Sequence, residues 1–119
     1  LDNLFNQNSL GYFSISTSII TLLEVLVLPY QNKNKELIDE YEDILENSKW
    51  IEIIDVNIAI SKISAELRAK YKIRTPDAIQ IATAIYSEAE YFITNDFRLK
   101  TVKEIKILTI EDLINLSLE

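Results

Sequence analysis

The chain has 119 residues, 48% of them apolar and 26% charged, and its nineteen acidic and twelve basic side chains give a net charge of −7. It contains no His, no Cys, no Met and a single glycine, Gly11. These absences exclude disulfides, thiol or imidazole catalysis, a Ser-His-Asp triad and glycine-rich phosphate cradles, and they leave almost no means of holding zinc.

In chain order, Tyr12 to Ser16 (YFSIS) is short, aromatic and β-branched and predicts a strand. Ser16 to Leu28 predicts a helix opened by hydroxyl caps and stopped by Pro29. From Lys33 to Ser48, Leu37, Ile38, Tyr41, Ile44 and Leu45 recur at helical spacing, and acids cover the remaining surface. Trp50 to Val56 predicts a strand, and Asn57 is placed to cap a helix ending near Tyr71. Thr75-Pro76 opens a further helix, with Thr75 as its hydroxyl cap and Pro76 at its first position. Tyr91 to Thr94 and Ile105 to Ile110 predict two more strands, and Glu111 to Leu118 a closing helix. No linker, repeat or low-complexity tract interrupts the pattern, so residues 1–119 form one domain. Strands separated by helices imply a three-layer α/β/α fold around a central parallel sheet, which binds ligands at the carboxyl ends of its strands.

Without His or Cys, any chemistry falls to carboxylates, hydroxyls, amides, Lys, Arg or Tyr, with oxygen-held divalent metals still available. The acid excess is the wrong sign for gripping nucleic acid by bulk charge, but it suits carboxylates clustered around a cation. The longest apolar stretch, Ile19 to Leu28, is interrupted by Thr21 and Glu24 and is too short to cross a bilayer, so a cytoplasmic location is expected. The chain opens on Leu1 and has no Met, so its N-terminus is expected to be incomplete.

Three acids stand at positions open to two readings. Glu24 lies within the most apolar helix, either snorkelling to water or aimed at a cation. Asp77 lies in the first turn of its helix, either complementing the helix dipole or serving a site. Asp96 follows the strand YFIT, either as an ordinary turn residue or as an acid at the carboxyl end of a parallel strand.

The arrangement of these acids carries more than each alone. Ser16, Thr21 and Glu24 fall on the first helix segment, Asp77 with Ala78, Ala82 and Ala84 on a later one, and Thr94-Asn95-Asp96 close a strand nineteen residues beyond Asp77. From about Tyr12 to Leu116 the sequence resembles the PIN-domain nucleases, including the VapC-like toxins of toxin–antitoxin pairs. The resemblance implies a Mg²⁺- or Mn²⁺-dependent endoribonuclease hydrolysing RNA phosphodiester bonds, with Glu24, Asp77 and Asp96 as catalytic, metal-holding acids and Thr94 and Asn95 as supporting polar groups. It also implies an RNA substrate, with an antitoxin protein and a second copy of the chain as candidate partners. The family normally begins with a strand in the middle of the sheet that ends in the site's first Asp. Here no apolar strand precedes Leu1, and Asp2 heads the helix-like LDNLF, so that role is not assigned to Asp2. The first strand is expected to be missing from this single PIN-like domain, with weak metal binding and poor RNA cleavage as the consequence. The alternative is a catalytically inactive PIN-like protein-interaction module.

Arg68, Lys70, Lys72 and Arg74 run directly into Asp77 and are candidate RNA contacts, and Arg98, Lys100, Lys103 and Lys106 follow Asp96. Both groups are equally readable as solvated surface. Tyr71 and Tyr91 are either base-stacking platforms or core residues with a wet tip. The acidic helix with Glu36, Asp39, Glu40, Glu42, Asp43 and Glu46 either maintains solubility or meets a basic partner.

Overall fold

Ser18 joins strand to helix without a loop. In the computed structural model, which describes residues 14–118, β1 (Ile15–Ser18) ends on this fully buried serine and α1 (Ile19–Gln31) begins at the next residue. The Ser18 hydroxyl accepts a hydrogen bond from the Ile20 amide at 3.2 Å, capping the helix as hydroxyl residues do. The expected strand thus lies slightly later than Tyr12 to Ser16, and Tyr12 and Asp2 fall outside the described residues.

Helix α1 does not stop before Pro29. The proline is buried inside it and the helix continues to Gln31. Proline lacks the N–H that a helix interior uses, but a position close to the C-terminus forfeits only one bond. The last turn closes through the Asn32 amide to Leu28 O at 3.0 Å and the Asn34 amide to Pro29 O at 2.9 Å. Asn34 then caps α2 (Lys35–Asn47), its side chain accepting from the Leu37 amide at 3.1 Å. Ile38 is the buried position of α2, and Glu36, Asp39, Glu40, Asp43 and Glu46 are exposed.

Strand β2 (Ile51–Ile54) lies parallel to β1, with Ile15 opposite Ile51 and Ser18 opposite Ile54. Helix α3 (Ile58–Lys70) is capped by Asn57, whose side chain accepts from the Ile60 amide at 2.8 Å, as its sequence position predicts. Helix α4 (Thr75–Tyr86) packs along α3 and also touches both β1 and β3 (Tyr91–Thr94). Strand β3 pairs in parallel with β4 (Lys106–Thr109), with Tyr91 opposite Lys106 and Thr94 opposite Thr109. A short 3₁₀ helix (Phe97–Thr101) lies between these strands, and α5 (Ile110–Leu118) closes the described chain.

All strand pairs are parallel and helices alternate with strands, as expected for an α/β fold. Among the described residues the strands form two parallel pairs, β1–β2 and β3–β4, rather than one continuous sheet. Helix α4 spans the two pairs, and the main core gathers around it. Ile60 and Leu67 of α3 meet Ala78, Ile81 and Ala82 of α4, with Leu99, Val102 and Ile107 completing the cluster. The small Ala78 and Ala82 have no exposed surface, which lets the two helices lie close.

Candidate functional site

The start of α4 differs from its sequence expectation in a way that shapes the site. Arg74 occupies the cap position without a side-chain cap bond, Thr75 is the first helical residue and Pro76 follows it. The Thr75 hydroxyl is not the cap. It accepts a hydrogen bond from Arg68 Nη1 at 2.9 Å, while Arg68 Nε donates to the Ile73 carbonyl at 3.1 Å. Asp77 therefore carries the only acid of the first turn, where the positive end of the helix dipole favours a carboxylate. Its Oδ2 accepts from Arg74 Nε at 3.3 Å.

Asp96 is reached from the other side, just past the carboxyl end of β3. Its amide donates to Thr94 Oγ1 at 3.1 Å, and its Oδ1 accepts from the Arg98 amide at 3.0 Å, capping the 3₁₀ helix. The Arg98 guanidinium grips the same carboxylate with both arms, Nε to Oδ1 at 2.9 Å and Nη2 to Oδ2 at 2.8 Å. Hydrogen bonding from this guanidinium is the largest reason the Asp96 carboxyl is held below the usual carboxylate range.

The two acid–arginine pairs lie within electrostatic reach of each other. Arg74 also attracts Asp96, and Asp77 also attracts Arg98. Two acids nineteen residues apart in sequence, Asp77 at the N-terminus of α4 and Asp96 past the carboxyl end of β3, thus lie within electrostatic reach of each other's arginines, at the strand ends where parallel-strand topology places ligands. Asn95 is exposed beside them.

Glu24 is exposed on α1. One helical turn before it, Thr21 Oγ1 accepts from Gln80 Nε2 at 2.7 Å and lies 2.8 Å from Thr17 Oγ1. Gln80 in turn stands one helical turn after Asp77, so this polar contact joins the helix of Glu24 to the helix of Asp77. Sequence reading passed over Gln80; its signal was the lone amide in TPDAIQIATAI, flanked on both sides by isoleucine. Among the described residues no three acids come together as a metal-holding group. Asp77 and Asp96 lie in one electrostatic neighbourhood, and Glu24 does not join them in a metal-holding group.

Several basic residues around the site are engaged within the chain. Lys70 pairs with Glu104 at 3.2 Å, and the Tyr71 hydroxyl donates to the other oxygen of Glu104 at 2.6 Å, tying the end of α3 to the approach to β4. These contacts, the Tyr71 hydroxyl foremost, hold the Glu104 carboxyl below its ordinary value. Lys100 pairs with Asp112, and Lys106 lies 5.8 Å from the Tyr91 ring centre. Lys72 is exposed.

No helix among the described residues is long and apolar enough to cross a membrane. No curated protein is a significant match to the chain. Among solved structures, a chain of the VapBC2 complex from Rickettsia felis bound to a DNA fragment from its promoter superposes with a TM-score of 0.72 at 24% identity, covering 92% of this chain and 86% of that one. A toxin–antitoxin complex from Klebsiella pneumoniae superposes with a TM-score of 0.57 at 27% identity, covering 76% of this chain and 73% of that one. The family model of the PIN domain matches residues 4–105, the stretch that contains α1, α4 and the Thr94-Asn95-Asp96 turn, and the chain therefore belongs to the PIN domain family.

Proposed function

We propose that the chain is a Mg²⁺- or Mn²⁺-dependent endoribonuclease that acts in the cytoplasm as the toxin of a toxin–antitoxin pair. The observation that carries this reading is the placement of Asp77 in the first turn of α4 and of Asp96 just past the carboxyl end of β3, within electrostatic reach of each other's arginines, in a PIN domain. The donors there are carboxylate oxygens, which suit a hard divalent cation, and Mg²⁺ commonly takes one or two protein carboxylates and completes its shell with water and substrate phosphate. Asp77 and Asp96 would hold the ion, with Glu24 acting through water from α1. The bound cation supplies Lewis-acid polarisation of the phosphodiester and a more acidic water. Thr94 keeps the Asp96 turn in shape through the Asp96 amide, and the N-terminus of α4 adds a positive dipole end facing an anionic substrate.

An antitoxin partner is supported by the two solved complexes and by an exposed apolar face. Ile19, Leu23, Val27 and Tyr30 recur at helical spacing on α1 and are all exposed, the pattern of a surface that takes a protein partner. A second copy of the chain would compete for the same kind of surface.

Cleavage of an RNA substrate by the purified chain tests the reading. Activity requiring Mg²⁺ or Mn²⁺ and lost in Asp77→Ala supports it. A specific observation favours a second reading, an inactive PIN-like interaction module: both clustered acids are already neutralised by arginines, and no third acid joins them among the described residues. Partner binding that survives with no metal-dependent cleavage at any Mn²⁺ concentration would select the module.

A further inference from the structure

Arg74 and Arg98 are unusual occupants of a site that is to receive a cation. Their side chains are 79% and 78% exposed, yet each turns back onto an acid of the cluster instead of extending into solvent. The pairing of Arg98 with Asp96 is a two-armed fork, the geometry with which arginine recognises carboxylate and phosphate alike. Two acids and two arginines sum to no net charge. When the same carboxylates hold a divalent cation, the group carries two positive charges, and the guanidiniums lose their partners.

We propose that Arg74 and Arg98 form an exchangeable phosphate clamp, resting on Asp77 and Asp96 in the cation-free protein and turning to the backbone phosphates of RNA once those carboxylates engage a divalent cation. The inference rests on the nuclease reading and adds an order of events to it. Exposed ion pairs hold weakly, so exchanging carboxylate for phosphate costs little. A protein of net charge −7 repels RNA at long range, and this device confines attraction to the loaded site. The coupling is reciprocal: RNA tightens the cation by the same factor by which the cation tightens RNA.

The test uses the full chain, Mn²⁺, and as probe an RNA oligonucleotide methylated at every 2′-oxygen, checked for integrity after titration. For the wild type, Mn²⁺ is expected to tighten oligonucleotide binding by a factor of about 5–150, the usual range for coupled sites. The double variant Arg74→Gln/Arg98→Gln is expected to lose that linkage, to lower the salt slope of loaded binding by about 1.4 for two lost phosphate contacts on a single strand, and to bind Mn²⁺ alone more tightly because its competitors are gone. Arg98→Lys, which keeps the charge without the fork, is expected to fall between. Mn²⁺ binding that depends on Asp77 while oligonucleotide affinity ignores both arginines overturns the clamp and leaves the nuclease reading standing. No Mn²⁺ binding by the wild type overturns both.

Discussion

The side-chain amide of Gln80 donates to the hydroxyl of Thr21 at 2.7 Å, joining the second turn of α4 to the first turn of α1. The bond is partly buried and Thr17 adds a second hydroxyl to it, so three segments share one polar contact. A neutral hydrogen bond contributes about 1 kcal/mol net, and stranding one partner costs about 1–3 kcal/mol. Gln80→Leu and Thr21→Val are each expected to destabilise the fold by about 1–2 kcal/mol, and the double variant by less than their sum, because either change already breaks the contact. Urea denaturation of the four proteins checks this; strictly additive losses would mean that the contact contributes nothing.

Asp112 makes a stability prediction with a definite pH window. Its amide donates to Thr109 Oγ1 at 3.2 Å and its Oδ2 accepts from the Thr109 amide at 2.9 Å, a reciprocal cap at the start of α5. Lys100 first, and then the Thr109 amide, hold the Asp112 carboxyl down at about 2. A carboxyl depressed in the folded state stabilises fully above its unfolded value of about 4 and loses that contribution as pH falls towards its folded value. The stability advantage of wild type over Asp112→Asn is therefore expected to be constant from neutral pH down to about 4, and to shrink below it. Denaturant titrations across that range read it directly; an advantage that grows on acidification contradicts the assignment.

How much of this was legible in the sequence depends on whether the signal was local. Asn57 as a cap, the strand YFIT and the alternation of helix and strand are short-range patterns, and the structure has them all. Pro29 and Thr75 misled because both carry strong local rules that neighbours overrode. The proline sits so near its helix end that the chain closes the turn around it, and the threonine hydroxyl is engaged by Arg68 seven residues earlier. The division of the strands into two pairs was not readable at all, since pairing is decided between segments distant in sequence. For the site, the acids stood out by position, and the arginines beside them read as candidate RNA contacts or solvated surface, not as ion-pair partners of those acids.

Under the nuclease reading, the three acids are expected to differ in the size of their effect. Changing a residue one step removed from a metal typically costs 10–100-fold, so Asp77→Asn and Asp96→Asn, as direct ligands, are expected to lower cleavage by more than about 100-fold. Glu24→Gln, acting through water, is expected to cost about 10–100-fold. Glu24 is exposed, so its substitution is expected to leave the unfolding midpoint unchanged. Initial cleavage rates at saturating Mn²⁺ rank the three variants, and an unchanged rate in Glu24→Gln removes that residue from the site.

Removing the cation is expected to separate chemistry from folding. The core residues Ile60, Leu67, Ile81 and Val102 are at most 2% exposed and belong to a cluster that includes neither Asp77 nor Asp96. EDTA is therefore expected to stop cleavage while leaving the far-UV circular dichroism spectrum intact, and added Mn²⁺ to restore activity. A ligand that binds only the folded state stabilises it by about 2.7 kcal/mol at a hundred times its Kd, so saturating Mn²⁺ is expected to raise the melting temperature of the wild type and not that of Asp77→Asn. Leu67→Ala provides the opposite control. It is expected to lose about 2–5 kcal/mol by opening a cavity while keeping the Mn²⁺-induced rise, because the site does not draw on that side chain. A melting temperature equally indifferent to Mn²⁺ in all three proteins would take the cation away from Asp77.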